Sequence, residues 1–294
     1  MNKAMNFDDN LSTDKIWYKS RTFYRIKKNR RLVVGTFMVA FIVFVAVFAP
    51  LLASEGLYSF NFDARLAPPS SDAPLGRDDF GRDILSRIIL GSRVSLIVGL
   101  VSQIIALTVG TLLGVLAGFY GGTVDNIIMR ILDIFFAFPS LLLAIALMTI
   151  FGGSITNVII AIGLVYTPAF ARIVRGSTLS VKEKEYIESA KAQGMADIRI
   201  VLLHVLPNII GPIIIYATMG IGDAIITEAG LSFLGLGIQP PTPTWGGMLS
   251  NGKNYISVAP YEVIYAGIAI MITVVAFNTL GDGLRDFFDP KQSV

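Results

Sequence analysis

The chain has 294 residues, of which 53% are hydrophobic and 15% charged, and a formal net charge of +3. A soluble domain carries about 25% charged residues, so this deficit, with a mean hydropathy of +0.66, points to a protein embedded in lipid. The small net charge argues against nucleic acid as a partner. The absence of cysteine excludes disulfides, thiolate metal sites and thiol catalysis, and the single histidine, His204, cannot build a zinc site alone.

The first 31 residues are mostly polar and carry Lys3, Lys15, Lys19, Arg21, Arg25, Lys27, Lys28, Arg30 and Arg31. The apolar run after them is too long for the core of a cleavable signal and is expected to be a permanent anchor. Six segments approach or exceed the ~17–25 apolar residues that cross the hydrocarbon: 32–53, then about 94–119, 131–151, 155–173, 209–231 and 263–280. Pro139 falls inside the third and Pro168 inside the fourth. Both are tolerable where packed neighbours satisfy the freed backbone groups.

Lys and Arg in short loops favour the cytoplasm. The basic tail, and Arg175, Lys182, Lys184, Lys191 and Arg199 after the fourth span, place both termini and that loop inside. The loop after the third span has no basic residue, and the loop after the fifth has only Lys253. Arg65, Arg77, Arg82, Arg87 and Arg93 after the first span run against this orientation. The expected organisation is a tail (1–31), a first span with an external segment (32–91), a permease domain (92–286) containing a cytoplasmic loop (176–208), and a C-terminal tail (287–294).

The cytoplasmic loop has its own local code. Ser180-Val-Lys-Glu183 has the spacing of a capping box and predicts a helix starting near Val181. Gly194 can end it in a left-handed conformation. Asp197 is a candidate cap for a second short helix over 198–206, stopped by Pro207. Two helices around a Gly turn make a compact knob. Taken alone, this segment is either an amphipathic connector or a docking surface for a soluble partner.

Within the knob, Tyr186-Ile-Glu-Ser-Ala190-Lys-Ala-Gln-Gly194 is followed by Leu206-Pro207-Asn208. It resembles the EAA loop of ATP-binding-cassette (ABC) importer permeases, whose pattern is Glu-Ala-Ala, three residues, Gly, nine residues, Ile-x-Leu-Pro. The match falls on Glu188, Ala190, Gly194, Leu206 and Pro207. Ser189 departs from the first Ala and His204 from the Ile, and a His there is usual in the peptide-transporter branch.

Two further stretches resemble hallmarks of the dipeptide/oligopeptide/nickel permeases. The first is Pro74-Leu-Gly-Arg-Asp-Asp-Phe-Gly-Arg-Asp-Ile-Leu-Ser-Arg87 with Gly91-Ser-Arg-Val-Ser95. Its Asp78, Asp79 and Asp83 can pair with Arg82 and Arg87 in a folded hairpin; a surface helix of mixed charge is the plainer alternative. The second runs from Glu228 to Met248, where Pro240, Pro241 and Pro243 exclude a continuous helix and Trp245 suits an interfacial position. A re-entrant or interfacial loop at the outer mouth is expected there, against a rigid spacer.

Gly110, Gly114, Gly118 and Gly122 recur every four residues and read as a close-packing stripe. Acidic groups in spans are expensive and often functional. Asp133 can pair with Arg130 or face water, while Asp223, Glu228 and Trp245 are candidate pathway residues, with structural pairing an equal reading for the two acids. Gly247-Met-Leu-Ser-Asn-Gly252-Lys253-Asn254 nearly matches a phosphate loop but has Asn where Ser or Thr would ligate magnesium, and follows no strand.

Together the motifs identify the chain as a member of the C-type permease subunits of binding-protein-dependent, type I ABC importers. The resemblance implies an all-α polytopic membrane protein with six transmembrane helices. It implies no catalytic, cofactor or metal site here, since ATP and magnesium would be bound by two cytoplasmic ATPase subunits. The other implied partners are a homologous second permease, an extracytoplasmic substrate-binding protein and membrane lipid. The implied location is a bacterial or archaeal cytoplasmic membrane. The coupling residues would be Glu188, Ser189, Ala190, Gly194, His204, Leu206 and Pro207. Di- or oligopeptides lead as substrates, with nickel or metal chelates, glutathione and antimicrobial peptides as alternatives. A secondary transporter would need coupling-ion sites and an internal repeat, and a channel would need a filter sequence; neither is visible.

Overall fold

A computed structural model of the chain describes residues 26–56 and 59–288; the basic residues Lys3 to Arg25 and the last six residues lie outside that range. The described residues are almost entirely helical, with one isolated antiparallel bridge between Arg77 and Asp83. Helix α1 (Arg30–Val47) begins at Asn29, whose side chain accepts from the Leu32 N–H, and leads into a short α2 (Ala49–Leu52). Helix α3 (Ile84–Tyr120) begins at Asp83, which accepts the Ser86 N–H at 2.8 Å. Then come α4 (Gly122–Phe136), α5 (Ser140–Phe151), α6 (Ile155–Lys182), α7 (Glu185–Ala192) and α8 (Asp197–Ile200). A π-helical segment (Val201–Val205) joins α8 to α9 (Leu206–Phe233), and α10 (Trp245–Gly252) and α11 (Tyr261–Phe288) complete the order.

Five of these helices are long and apolar enough to cross a membrane, or six if the bent pair α4 and α5 counts as one span. The expected third span, 131–151, is therefore not one straight helix: α4 and α5 meet at 87°. Pro139 explains the break. Its ring disfavours a helical Phe138 and it has no N–H to donate, so the chain leaves the helix and restarts at Ser140.

The helices alternate in direction, giving the bundle two ends. One carries the start of α1, the end of α6, α7, α8 and the end of α11, and is called the knob end. The other carries α2, residues 59–83 and α10, and is called the hairpin end. Glycines bring helix pairs close. A Cβ on Gly114 would lie 2.5 Å from the Ala171 carbonyl oxygen, and one on Gly118 would lie 2.8 Å from Thr178 Cβ, so α3 and α6 meet nearly backbone to backbone. Gly110 faces Phe170 in the same stripe, but Gly122 does not belong to it. That residue opens α4, and nothing lies within 4 Å of its Cβ position. Gly35 and Gly283 bring α1 against α11 in the same way.

Side chains turned away from the chain are large and apolar, including Phe37 at 72% and Ile150 at 78% exposed. On a soluble protein such faces would be an aggregation hazard; in a bilayer they meet lipid or a partner helix. The interior divides into three apolar clusters. One at the hairpin end contains Ile84, Trp245, Met248 and Phe277, one in mid-bundle contains Val98, Met148, Ile162 and Leu231, and one lies beneath the knob.

Candidate functional site

The knob grows directly out of α6. The predicted capping box at Ser180 is not formed: α6 runs on to Lys182, and Ser180 Oγ donates to the Gly176 carbonyl. Thr178 packed on Gly118 holds that last turn of α6 to α3, so tertiary contact overrides the local signal. The next helix, α7, starts only at Glu185, after Lys184 in an extended conformation.

The Gly194 expectation holds. Its φ is +75°, its N–H donates to the Lys191 carbonyl at 2.9 Å, and the Met195 N–H donates to the Ala190 carbonyl at 3.1 Å. These two bonds are a Schellman closure, which requires the left-handed residue at its turn. The second helix of the knob departs from expectation. Asp197 makes no side-chain cap and is itself the first residue of α8, and Pro207 does not stop the helix, which continues into α9. In the π segment the Leu206 N–H reaches the Val201 carbonyl, so the hydrogen-bond ladder shifts by one residue just before Pro207. The widened turn absorbs the donor that proline lacks. Asn208 Nδ2 adds a bond to the His204 carbonyl at 2.6 Å.

The knob has a dry face and a wet face. Ile187, Ile200 and Val205 are fully buried and Ala190 nearly so, packed with Val115, Phe119, Val174 and Ile209 at the ends of α3, α6 and α9. The remaining coupling candidates divide by exposure: Glu188, Ser189, Gly194 and Pro207 are exposed, and His204 and Leu206 are half-buried. Glu185, Lys191 and Arg199 also face out, Lys191 Nζ lying 5.0 Å over the Phe119 ring. Ile198, Leu202, Leu203 and Tyr186 are exposed as well, so the outer surface mixes charge with large apolar side chains. That combination suits a protein partner better than water alone.

Next to the knob, α4 is tied to α6 by two ion pairs. Arg175 grips Asp125 with Nε at 2.5 Å and Nη2 at 2.6 Å. Asp133 pairs with Arg172 at 2.8 Å rather than with Arg130, and its side chain remains 59% exposed, so the alternative that it faces water is not overturned.

The three pathway candidates lie in different environments. Asp223 is exposed on α9, and its backbone carbonyl accepts from Tyr166 Oη at 3.2 Å. Glu228 is fully buried, with Ser232 Oγ donating to it at 2.8 Å. Trp245 is 3% exposed, so it is not at an open interface. Its ring N–H donates to the Ile88 carbonyl and its backbone N–H to Ser95 Oγ, which fixes the start of α10 on α3. Asp223 alone of the three presents a side chain outside the chain's own interior. The near-phosphate-loop sequence forms the end of α10 and a 3₁₀ turn, with no cradle of backbone donors after a strand.

At the hairpin end the predicted charge pairing is present for Asp78 and Asp79, whereas Asp83 makes no ion pair with Arg82 or Arg87 among the described residues and instead caps α3 through Ser86. Arg82 Nε meets Asp78 at 2.6 Å, Arg87 Nε meets the same oxygen at 3.3 Å, and Arg82 Nη2 lies 3.7 Å from Asp79. Burial pushes the Asp79 carboxyl above the usual carboxylate range, and neighbouring Asp78 adds to this. Arg77 takes Glu55 in a two-pronged pair at 2.8 and 3.2 Å, which holds its guanidinium still more firmly protonated. Sequence reading missed Glu55, Arg172 and buried Glu262. Glu262 carried a signal, a lone acid at the head of an apolar run.

Residues 110–294 match the family of binding-protein-dependent transport system inner membrane components. The chain belongs to that family. Residues 18–69 match the N-terminal transmembrane domain of oligopeptide transport permease C, which makes it a C-type permease of the ABC importers. It is 49% identical over 270 residues to the dipeptide transport system permease protein DppC of Alkalihalophilus pseudofirmus, covering 92% of this chain and 89% of that one. It is 45% identical to the glutathione transport system permease protein GsiD of Pectobacterium atrosepticum, covering 92% and 91%. Among solved structures, an inward-facing MetNI methionine ABC transporter aligns with a TM-score of 0.59 at 19% identity, over 70% of this chain and 98% of that one. The fold is that of an ABC importer permease, in a multi-pass membrane protein.

Proposed function

We propose that this permease forms one half of the transmembrane pathway of an ATP-driven importer of di- or oligopeptides. The knob end is cytoplasmic, with both termini on that side. The importer has two ATPase subunits, which bind ATP and magnesium, and one of them docks on the wet face of this knob around Glu188 and Gly194. A homologous second permease completes the pathway, and an extracytoplasmic binding protein delivers peptide to the hairpin end. Closure of the ATPases pushes the knob, and its dry face carries the push into α3, α6 and α9. Asp223, exposed on a spanning helix, faces the route and meets a peptide's ammonium group.

The observation that supports this reading most strongly is the 49% identity to a dipeptide permease over nearly the whole chain, joined to a knob whose inner face is continuous with three helix ends. Glutathione is the second reading, supported by the 45% identity to a glutathione permease; it is itself a tripeptide. Uptake of labelled di- and tripeptides into proteoliposomes holding the whole complex tests the proposal. Import that requires ATP and the binding protein is expected. Import driven by an ion gradient without ATP would make the chain a secondary transporter instead.

A further inference from the structure

Helix α4 sits between two joints. At its start Gly121 and Gly122 have φ of +69° and +55°, and nothing lies within 4 Å of the Cβ position of Gly122, so the backbone there is free to turn. At its end the chain breaks by 87° around Pro139. Between the joints Leu132 is the one buried residue, with Asp125, Ile128, Met129 and Phe135 half-buried beside it. Beyond the break α5 is seated differently, with Ala144 and Met148 in the mid-bundle cluster. Charge fastens α4 to α6. Arg175 holds Asp125 with two prongs, their side chains 31% and 15% exposed. Arg172 holds Asp133 with its guanidinium 3.9 Å from the centre of the Phe136 ring, and here the side chains are 53% and 59% exposed.

Arg172 lies ten residues before the end of α6, about 15 Å along the helix. Charged groups at that depth turn toward water or protein rather than hydrocarbon, so a pair more than half exposed there belongs to the wall of the route. Water competes for both charges of an exposed pair, which therefore opens and re-forms easily. The two-pronged, better shielded Arg175–Asp125 pair beside the glycine joint is the firmer hold. We infer that α4 is a hinged gate on the knob-side half of the translocation route, latched to α6 by Asp133 and Arg172 and pivoting near Gly121 and Asp125. The inference rests on the ATP-driven pathway reading above and adds its moving wall. The glycine-packed pair of α3 and α6 is the frame against which that wall moves.

The test measures spin-label distances in the complete transporter, with cysteine pairs placed in this cysteine-free chain and partner subunits freed of their own cysteines. Arg130→Cys with Ser180→Cys spans α4 and α6, at two exposed positions outside both ion pairs. Leu112→Cys with Ser180→Cys spans α3 and α6 as the fixed reference. Between the nucleotide-free complex and the complex trapped with ATP and vanadate, the 130–180 distance is expected to shift by about 5 Å, while the 112–180 distance changes by no more than about 1–2 Å. Asp133→Asn should move the population of the shorter-distance state toward the longer distance, and the swapped pair D133R/R172D should reverse that move. Arg172→Gln opens the same pair from the other side and takes the place of D133N if that variant does not assemble. A 130–180 distance equal in the two states overturns the gate. A shift that the latch variants leave untouched overturns the role of Asp133 and Arg172. Peptide uptake by the wild-type complex is followed in parallel: no ATP-dependent uptake overturns the pathway reading itself, whereas uptake with a fixed 130–180 distance overturns the gate alone.

Discussion

At the knob end every charged residue of α7 and α8 faces outward, and the interior is Ile187, Ile200 and Val205 against apolar helix ends. At the hairpin end Asp78, Arg82, Asp83, Arg87 and Glu262 are all buried. Apolar contact is non-directional, so a knob held that way can rock as a body without breaking a specific bond. A buried ion-pair cluster has few acceptable geometries and resists such displacement. The contrast suits a machine driven from one end while the other keeps its shape.

The largest expected effect comes from breaking the hairpin. Asp78→Ala leaves Arg82 and Arg87 without their shared carboxylate and should cost about 3–5 kcal/mol, the usual penalty for a buried charge left alone. Thermal unfolding of the purified complex would show a large loss; an unchanged midpoint would mean the cluster is not structurally required. Gly114→Leu comes next. Its side chain would meet the backbone of α6 at 2.5 Å, so about 3 kcal/mol, the upper range for overpacking, is expected with poor recovery of folded protein. Normal recovery would show that α3 and α6 can separate freely.

Glu188→Ala with Gly194→Val acts only at the knob. It removes a charged hydrogen-bonding group worth roughly 1.5–3 kcal/mol if shielded from water, and strains the Schellman turn at a φ of +75°. This variant should insert and pair with the second permease yet lose its ATPases on purification. Retention of the ATPases with wild-type transport would contradict the docking assignment. The smallest effect is expected for Asp223→Asn: lower uptake with assembly intact, measured in proteoliposomes. Unchanged uptake would return Asp223 to a structural role.

Much of this contrast was legible in the sequence, for unequal reasons. Long apolar runs fix the spans because hydrocarbon admits little else, and the Asp78–Arg87 pairing was visible because its partners lie within one short segment. The 87° break at Pro139 was not legible, since hydropathy sums over a kink and tolerates proline in either arrangement. The capping box at Ser180 failed because contact with Gly118, about sixty residues away in sequence, decides where α6 ends. Pro207 misled for a related reason: a π turn lets a helix pass a proline, and no residue type announces one. Partners remote in sequence, such as Asp133 with Arg172 or Glu55 with Arg77, needed the fold. Trp245 has the composition of an interface residue, yet here it is a buried peg between α10 and α3.

The central claim is that the knob is a cytoplasmic docking surface, and the absence of cysteine makes it directly testable. A single cysteine at Ile198, which is 65% exposed, can be labelled with a membrane-impermeant maleimide in oriented vesicles, beside a control at Ser154 at the opposite end. The account predicts that Ile198→Cys labels only from the cytoplasmic side and is protected when the ATPases are bound, while Ser154→Cys labels only from outside and is indifferent to them. Labelling of Ile198→Cys from outside, or at the same rate with and without bound ATPases, would contradict it.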